Sequence, residues 1–324
     1  ADCFRLNVIM SVLLKPPAPF YCLKGADSSV LCLNFISNHD KIVKIMGGTK
    51  SGTVCFWDFK TNRLESRLRC GDGPCYWTNM NNGILFTQCK SEDIILWRKV
   101  GSTWEELSRI ECKHMGFCKS RISACGSYIV VPKMELSSLC VHRTTGEAVA
   151  ELFPETKLGM VMCCWLLSEE NQLYVIAGYE SQCIVTWNVS STKIAQDLKL
   201  ADVPICIVVD HSNKLGCVGT TSDKIYLFSV DFCKPEMLLL KTLTITNPGV
   251  SSLSLRRDGK LLAAGCWDGR IRIFNWKKDC RLLAVLCHHS SNVESVSFAD
   301  SALAYWNKSL ILAAGSSDNI ISLW

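Results

Sequence analysis

The chain has 324 residues, of which 48% are hydrophobic and 20% are charged, and its formal net charge at pH 7 is +5. This charge is mild and no block of five or more basic residues occurs, which argues against a dedicated nucleic-acid-binding protein. Helical periodicity is almost absent, so we predict an all-β fold.

The first residues match no repeat in the rest of the chain. We interpret residues 1–19 as an N-terminal extension of uncertain origin. The apolar run 8–14 is compatible with the core of a signal peptide, but a fragment, or extra residues placed before Met10, is the favoured interpretation. No other segment is long and apolar enough to span a membrane, so we predict no membrane partner.

A strand–turn–strand pattern recurs along the chain and is clearest in "LLAAGCWDGRIRIFNW" (261–276). Asp268-Gly269 is a hairpin signal between a buried strand and an alternating one. The residue that ends each second strand recurs at intervals of 40, 45, 45, 41, 46 and 50, at Trp57, Trp97, His142, Trp187, Phe228, Phe274 and Trp324. This period and this hairpin predict a seven-bladed WD-repeat β-propeller with four strands in each blade.

We name the strands of a blade a to d, from the central channel outward. The last blade has strands a, b and c but no strand d after Trp324. We predict that residues 20–24 supply the missing outer strand, which closes the ring and removes a sheet edge. Because each blade needs its neighbours to bury its faces, residues 20–324 are predicted to form one domain.

Several polar and aromatic residues are predicted to have structural roles. Blades of this type often bury a network of His, Asp, Ser or Thr, and Trp, because a buried indole N–H needs an acceptor. In blade 7 we assign His289, Asp318 and Trp324 to this network, with Ala314 where the hydroxyl would stand. In blade 6 Asp268 holds the corresponding position. The tryptophans assigned to the packed blades are Trp57, Trp97 and Trp187.

In strand c of blade 6, "RIRIF" alternates basic and apolar residues. An alternation with period two places Ile271 and Ile273 on one face and Arg270 and Arg272 on the other. We therefore expect both arginines on a wet blade surface.

The 20 cysteines lie largely inside strand runs, where a free thiol acts as a small hydrophobic group. No Cys-x-x-Cys pair occurs, so we expect structural thiols in a reducing compartment and no metal or cofactor. Nucleotide-binding, metalloprotease and hydrolase signatures are also missing from the sequence. We therefore predict that the protein is not an enzyme and has no catalytic residues.

Several strings go beyond the generic repeat: "MGFCKS" (115–120), "KLGMVMC" (157–163), "AGYES" (177–181), "TNPGV" (246–250) and "LAAGSSDNIISLW" (312–324). With these strings the chain resembles the WD-repeat family of guanine nucleotide-binding protein subunit beta-like protein 1 and its fungal relative ASTRA-associated protein 1. The resemblance implies a non-catalytic scaffold in the cytoplasm and nucleus. Its implied role is the chaperoned maturation of phosphatidylinositol-3-kinase-related kinases, with their co-chaperone complex, in DNA-damage signalling.

The segments "MGFC", "KLGM" and "TNPG" fall on loops from strand d to strand a, and "GYES" and "CWDG" fall on turns from strand b to strand c. All five therefore lie on one predicted face, which we interpret as a protein-binding face. Its predicted contact residues are Phe117, Leu158, Met160, Tyr179, Glu180, Asn247, Pro248, Trp267 and Asp268. Tyr179 and Trp267 are expected to be surface aromatics, because interface anchors are enriched in such residues.

Three other functions remain open. A G-protein β-like subunit would need an N-terminal helix with heptads to pair with a γ subunit, whereas residues 1–28 contain Pro16, Pro17 and Pro19, so no γ partner is expected. A chromatin or peptide reader would need an aromatic cage or an acidic pocket at the channel mouth. An enzyme would need a convergent acid–base pair in the channel.

Overall fold

The computed structural model of the chain describes residues 17–38, 40–135, 137–169, 171–234, 236–276, 279–306 and 310–324. Most of the predicted N-terminal extension, residues 1–16, lies outside this range. In the described part of the chain every regular element is a β-strand, and no helix there could cross a membrane.

The chain begins its strands with β1 (Tyr21–Leu23), which belongs to the last blade. Blade 1 contains β2 (Val30–Asn38), β3 (Lys41–Thr49), β4 (Thr53–Asp58) and β5 (Arg63–Arg69). Blade 2 contains β6 (Cys75–Asn81), β7 (Ile84–Cys89), β8 (Ile94–Val100) and β9 (Thr103–Ile110). Blade 3 contains β10 (Arg121–Ile122), β11 (Tyr128–Pro132), β12 (Leu139–Arg143) and β13 (Ala148–Leu152).

Blade 4 contains β14 (Val161–Glu169), β15 (Gln172–Tyr179), β16 (Cys183–Asn188) and β17 (Lys193–Lys199). Blade 5 contains β18 (Pro204–Asp210), β19 (Leu215–Thr220), β20 (Lys224–Ser229) and β21 (Leu239–Thr244). Blade 6 contains β22 (Val250–Leu255), β23 (Leu261–Cys266), β24 (Arg270–Asn275) and β25 (Leu282–Cys287). Blade 7 contains β26 (Val293–Phe298), β27 (Leu312–Ser316), β28 (Ile321–Leu323) and the N-terminal strand β1.

The predicted seven-bladed architecture and its closure by an N-terminal strand are confirmed. The seven sheets each have four antiparallel strands in the order a–b–c–d. Strand β1 pairs with β28, with Tyr21 opposite Leu323 and Leu23 opposite Ile321. This pairing covers the edge of β28, which would otherwise present unpaired backbone groups.

The hydrophobic core is divided into seven clusters, one between each pair of neighbouring blades in the described part of the chain. For example, Trp187 and Val141 belong to the cluster between blades 3 and 4, whereas Leu23 and Trp57 belong to the cluster that joins blades 7 and 1. Each blade therefore buries both of its faces only when both neighbours are present.

The expectation that Arg272 faces solvent is wrong. In β24 the residues from Ile271 to Phe274 are all buried, and only 1% of Arg272 is exposed. A strand in the middle of a blade is covered on both faces, so alternation in its sequence does not mark a wet side. Arg270, at the start of the strand, is exposed as predicted.

An insertion between strands a and b of blade 7 reinforces the point of closure. Leu303 forms a parallel bridge with Ile42 of blade 1, and Trp306 donates its indole N–H to the carbonyl of Phe59 at 3.1 Å. The Trp306 ring also contacts Phe20, just before the closing strand, and Tyr21, the first residue of that strand, with ring-centroid distances of 5.2 and 5.6 Å. The insertion thus ties blade 7, blade 1 and the N-terminal segment together.

Candidate protein-binding face and central cavity

One end of the ring, which we call the upper face, carries the loops from strand d to the next strand a and the turns from strand b to strand c. Between blades 3 and 4, the amide of Ser181 donates to the carbonyl of Leu158, and the amide of Met160 donates to the Glu180 carboxylate at 3.2 Å. Leu158 and Met160 are half-buried and Glu180 is exposed. The "KLGM" and "YES" segments therefore form one continuous surface.

The "TNPG" loop of blade 6 fixes the orientation of Trp267. Gly249 has a positive φ of 93°, and a Cβ built there would lie 2.1 Å from the indole ring, so the ring packs directly on the glycine backbone. The Trp267 amide also donates to the Gly249 carbonyl at 3.0 Å. The indole remains 40% exposed, which is the combination of fixed orientation and accessibility that an interface anchor requires. Pro248 in the same loop is exposed.

A central cavity of about 400 Å³ opens at the upper face. In six blades strand a begins with a β-bulge, and the extra residue lines this cavity: Leu31, Tyr76, Met162, Ile205, Ser251 and Glu294. Bulges re-aim side chains and interrupt pairing, so they turn these residues toward the channel. Phe117 and Trp267 also line the cavity.

Blade 3 contributes two cations to the cavity. The Lys119 ammonium donates to the backbone carbonyl of Leu31 in blade 1 at 3.0 Å. The side chain of Lys119 therefore extends past blade 2, which lies between blades 3 and 1. The Arg121 guanidinium lies over the ring of Trp165, 4.4 Å from its centroid. Burial lowers the pKa of both Lys119 and Arg121, because the surrounding protein replaces the water that would stabilise their charges.

Gln88 of blade 2 positions the segment that carries Lys119. Its side-chain amide donates to the carbonyl of Cys118 at 3.0 Å, and its carbonyl accepts from the amide of Ser120 at 2.9 Å. Gln88 is 3% exposed, so the contacts are shielded from water. These two hydrogen bonds take the place of strand pairing in a segment where blade 3 has no regular strand.

Among the described residues that line the cavity, one is a carboxylate, Glu294. Glu294 accepts a hydrogen bond from the hydroxyl of Ser317 at 2.8 Å. Burial, with a smaller contribution from Glu294, raises the pKa of Tyr76, so the phenol stays neutral. Among the described lining residues the formal charges are therefore two positive and one negative.

The predicted face residues differ in their exposure and contacts. Phe117 is 58% exposed and shares the cavity mouth with Trp267. The expectation that Tyr179 is a surface aromatic is wrong, since its side chain is 0% exposed and packs in the core between blades 3 and 4. Asn247 and Asp268 are hydrogen-bonded to each other at 2.9 Å.

Asp268 is held by a buried ion pair. Arg272 donates to its two carboxylate oxygens at 3.1 and 2.7 Å, and Asn247 donates to one of them. Burial alone would raise the pKa of Asp268, but the hydrogen bonds from Arg272 and Asn247 outweigh it and lower the pKa to about 2. Asp268 is therefore ionised at neutral pH and compensates the buried guanidinium.

In blade 7 the three predicted network residues are connected by hydrogen bonds through a fourth residue, Ser322. His289 Nδ1 lies 3.0 Å from Asp318, while Ser322 lies 2.8 Å from both His289 Nε2 and the indole nitrogen of Trp324. The hydroxyl is thus on strand c and not at the position of Ala314. Burial lowers the pKa of His289, although Asp318 partly opposes this effect.

The other tryptophans predicted to be structural differ in their contacts. Trp57 is fully buried and donates to the carbonyl of Lys24, next to the closing strand, at 2.8 Å. Trp97 is half-buried and donates to the hydroxyl of Thr87 at 2.9 Å. Trp187 is 2% exposed and packs in the cluster between blades 3 and 4.

The described cysteines are free thiols. Cys70, Cys75 and Cys89 place their sulfur atoms within 4.8 Å of one another in a buried triad. Hydrogen bonds from the Cys75 and Cys89 thiols lower the pKa of Cys70 to about 5. Structural zinc sites use four ligands, and this triad supplies three in the part of the chain that the structure describes.

Lys119, Arg121 and Gln88 were not identified from the sequence. The pair Lys119 and Arg121 has a signal that could have been used, because residues i and i+2 of an inner strand point to the same side. The corresponding positions in the other blades are mostly apolar, small or acidic, so two cations two residues apart at the inner edge of one blade stand out. Gln88 has no comparable signal, because its partners are backbone groups of the next blade.

Comparison with known proteins gives a match to one repeat family over part of the chain and matches to individual proteins over nearly all of it. The family described as "WD domain, G-beta repeat" matches residues 238–275, which run from strand d of blade 5 to strand c of blade 6. The chain is 28% identical over 323 residues to the mouse (Mus musculus) protein named guanine nucleotide-binding protein subunit beta-like protein 1, covering 95% of this chain and 96% of that protein. It is 24% identical over 372 residues to ASTRA-associated protein 1 of Schizosaccharomyces japonicus, covering 95% and 98%. The protein of the same name from Schizosaccharomyces pombe is 22% identical over 375 residues, covering 95% and 98%.

Proposed function

We propose that this WD-repeat propeller is a non-catalytic scaffold that binds protein partners through its upper face. Its clients would be phosphatidylinositol-3-kinase-related kinases and their co-chaperone complex, and its role would be their maturation and stability in DNA-damage signalling. The observation that carries the binding part is the cavity mouth with its two exposed aromatic rings, Phe117 and Trp267. The kinase part is supported by the sequence similarity across almost the whole chain to ASTRA-associated protein 1. On this proposal the protein acts in the cytoplasm and nucleus.

The geometry of the upper face supports a binding role more than a catalytic one. The described lining of the cavity offers two cations and one carboxylate, and the rest of that lining is largely apolar. In the described residues His289 and Asp318, which could resemble an acid–base pair, are committed to Ser322 and Trp324 in a buried network. A scaffold needs fixed surface anchors, which Gly249 provides for Trp267.

Of the alternative functions, reading of a cationic peptide is opposed by the charges in the cavity. A methylated lysine would need an aromatic cage or an acidic pocket. The aromatic rings Tyr76, Phe117 and Trp267 are present, but Lys119 and Arg121 lie among them. Two embedded cations would repel such a ligand.

Capture of partners from cells tests the proposed function. We expect the tagged wild-type chain to bring down phosphatidylinositol-3-kinase-related kinases or their co-chaperones, identified by mass spectrometry. The double variant Phe117→Ala/Trp267→Ala should lose this capture by about tenfold or more, because truncating a central aromatic anchor typically costs an interface about 2 kcal/mol or more. In cells that depend on the variant, the steady-state level of these kinases should fall.

The matched control is Tyr305→Ala, which removes another exposed aromatic ring from the insertion of blade 7, on the opposite face. It should capture the same proteins as the wild type. Capture of neither the kinases nor their co-chaperones by the wild-type chain would contradict the proposed function, and equal capture by the double variant would contradict the proposed face.

A further inference from the structure

We propose that the central cavity binds a carboxylate of an acidic side chain in an extended segment of a partner protein, with apolar residues of that segment packing on the rim. The proposal rests on the binding role proposed above and names the chemistry of the bound segment. It is carried by two cations that the structure places inside an apolar cavity without carboxylate partners in contact.

Holding the two cations in the cavity is unfavourable in free energy. Among the described residues Lys119 donates to the carbonyl of Leu31, and Arg121 stacks on Trp165. Neither belongs to an ion pair among the described residues, although another partly buried cation, Lys44, does. Moving a charge out of water without an opposite partner is unfavourable. Strand positions that need only fill space would hold apolar residues, as Leu31 and Ile205 do in other blades.

The balance of charge selects the type of anion. Lys119 and Arg121 contribute two positive charges and Glu294 one negative charge to the lining. A single carboxylate would neutralise the excess of one. A doubly charged phosphate would leave a net negative charge beside Glu294 in a cavity with a mostly apolar lining, so we assign a carboxylate and not a phosphate.

The rim selects a segment that continues past the cavity. Phe117 belongs to blade 3 and Trp267 to blade 6, so the two exposed rings lie across the seven-bladed ring from each other. A chain that contacts both must cross the mouth, and its intervening side chain then points into the channel. The cavity volume of about 400 Å³ accommodates one long side chain and parts of its neighbours.

Arg121 lies two residues further along the chain than Lys119, which places it deeper in the channel by about one strand repeat, roughly 6–7 Å. A carboxylate that enters from the mouth meets Lys119 first and can extend toward Arg121. The longer side chain of glutamate fits this depth better than that of aspartate. The arrangement therefore favours a glutamate between two apolar residues.

Four matched libraries of short peptides, measured by fluorescence polarisation with the full chain, test the proposal. All carry varied apolar flanks. The first has a central glutamate and blocked ends, the second has glutamine instead, the third has phosphoserine, and the fourth has glutamine and a free C-terminal carboxylate. We expect the tightest binders in the glutamate library and a loss of at least about 30-fold on changing that glutamate to glutamine.

Lys119→Met is the main variant, because methionine keeps most of the length of the side chain and removes the charge. We expect it to weaken the selected glutamate peptide by at least about 30-fold and to bind the matched glutamine peptide as well as the wild type does. Its melting temperature should not fall, since a cation with no carboxylate partner is removed. Arg121→Met is the second variant, and Lys193→Met, on the exposed outer strand of blade 4, is the control for charge.

Each outcome decides the proposal. Equal binding of glutamate and glutamine peptides, or no binding in any library, overturns it. Preference for the phosphoserine or the free-terminus library replaces the assigned ligand. If Lys119→Met unfolds the chain while Arg121→Met folds and still binds the peptide normally, the cations are structural and the proposal is wrong. Capture of the kinases in cells together with failure of every library would leave the proposed scaffold role intact and reject only the assigned carboxylate.

Discussion

At the scale of single residues, the most informative contact is the ion pair between Asp268 and Arg272. The aspartate was predicted to have a structural role, whereas the arginine was expected in solvent. Both side chains are nearly enclosed, with exposed fractions of 12% and 2%. Blade 6 thus uses Asp, Asn and Arg where blade 7 uses Asp, His, Ser and Trp.

We predict that Asp268→Ala lowers the free energy of unfolding at pH 7 by about 3–5 kcal/mol, because it leaves the Arg272 guanidinium buried and unpaired. Chemical denaturation followed by circular dichroism measures the change. Arg270→Ala is the control, since Arg270 lies 3.6 Å from the same carboxylate but is 44% exposed; its cost should stay below about 1 kcal/mol.

The loss of stability in Asp268→Ala is also predicted to depend on pH. The pKa of Asp268 is about 2 in the folded protein and about 3.9 in an unfolded chain. The stabilisation by this carboxylate is therefore complete above about pH 4 and is lost as the pH falls toward 2. The difference between wild type and Asp268→Ala should shrink over this interval, and a constant difference would show that the pair does not stabilise the fold through its charge.

The sequence allowed different parts of the site to be predicted to different degrees. The hairpins and their period predicted every blade, because turns and alternation are local signals. Burial of Tyr179 and Arg272 was missed, because it depends on the neighbouring blade. Ser322 was missed because hydrogen-bond partners depend on how a side chain is turned across the sheet. The orientation of Trp267 follows from its contact with Gly249, a residue in a different strand connection.

At the scale of elements, the insertion in blade 7 acts on the join between the first and last blades. Its backbone bonds with Ile42 and the ring of Trp306 connect three segments that are distant in sequence. No local pattern in the sequence predicts these contacts, because they join residues far apart along the chain.

We predict that Trp306→Ala lowers the free energy of unfolding by about 2–3 kcal/mol, below the range for a fully buried tryptophan because part of the ring is exposed. The adjacent Tyr305 is 53% exposed, and Tyr305→Ala should change the stability by no more than about 0.5 kcal/mol. Thermal unfolding of both variants checks this. Equal losses would mean that the insertion is held by its backbone alone.

At the scale of the whole molecule, the ring has one closing strand whose loss exposes both blade 7 and blade 1. Leu23 in that strand is 1% exposed and packs in the cluster between these blades. Lys24 follows it directly and is exposed. Substitutions at these two neighbouring positions therefore distinguish the effect of disrupting the closing strand from the effect of changing a surface charge.

We predict that Leu23→Asp destabilises the protein by more than about 4 kcal/mol, because it buries a carboxylate without a partner. Amide hydrogen exchange should then increase first in β28 and β2, the strands beside the closure. Lys24→Asp should leave both exchange and stability within about 0.5 kcal/mol of the wild type. Uniform exchange across all seven blades in Leu23→Asp would indicate that closure does not open separately from the rest of the ring.

The pairing of Tyr21 with Leu323 also has a consequence for synthesis on the ribosome. The first half of this pair emerges long before the second, so the ring cannot close while the intervening blades are being made. During that time the nascent chain displays two unsatisfied edges and the apolar faces of its outermost blades, which are open to wrong pairing with other chains. A protein proposed to assist the maturation of kinases would thus itself be open to wrong pairing until β28 leaves the exit tunnel.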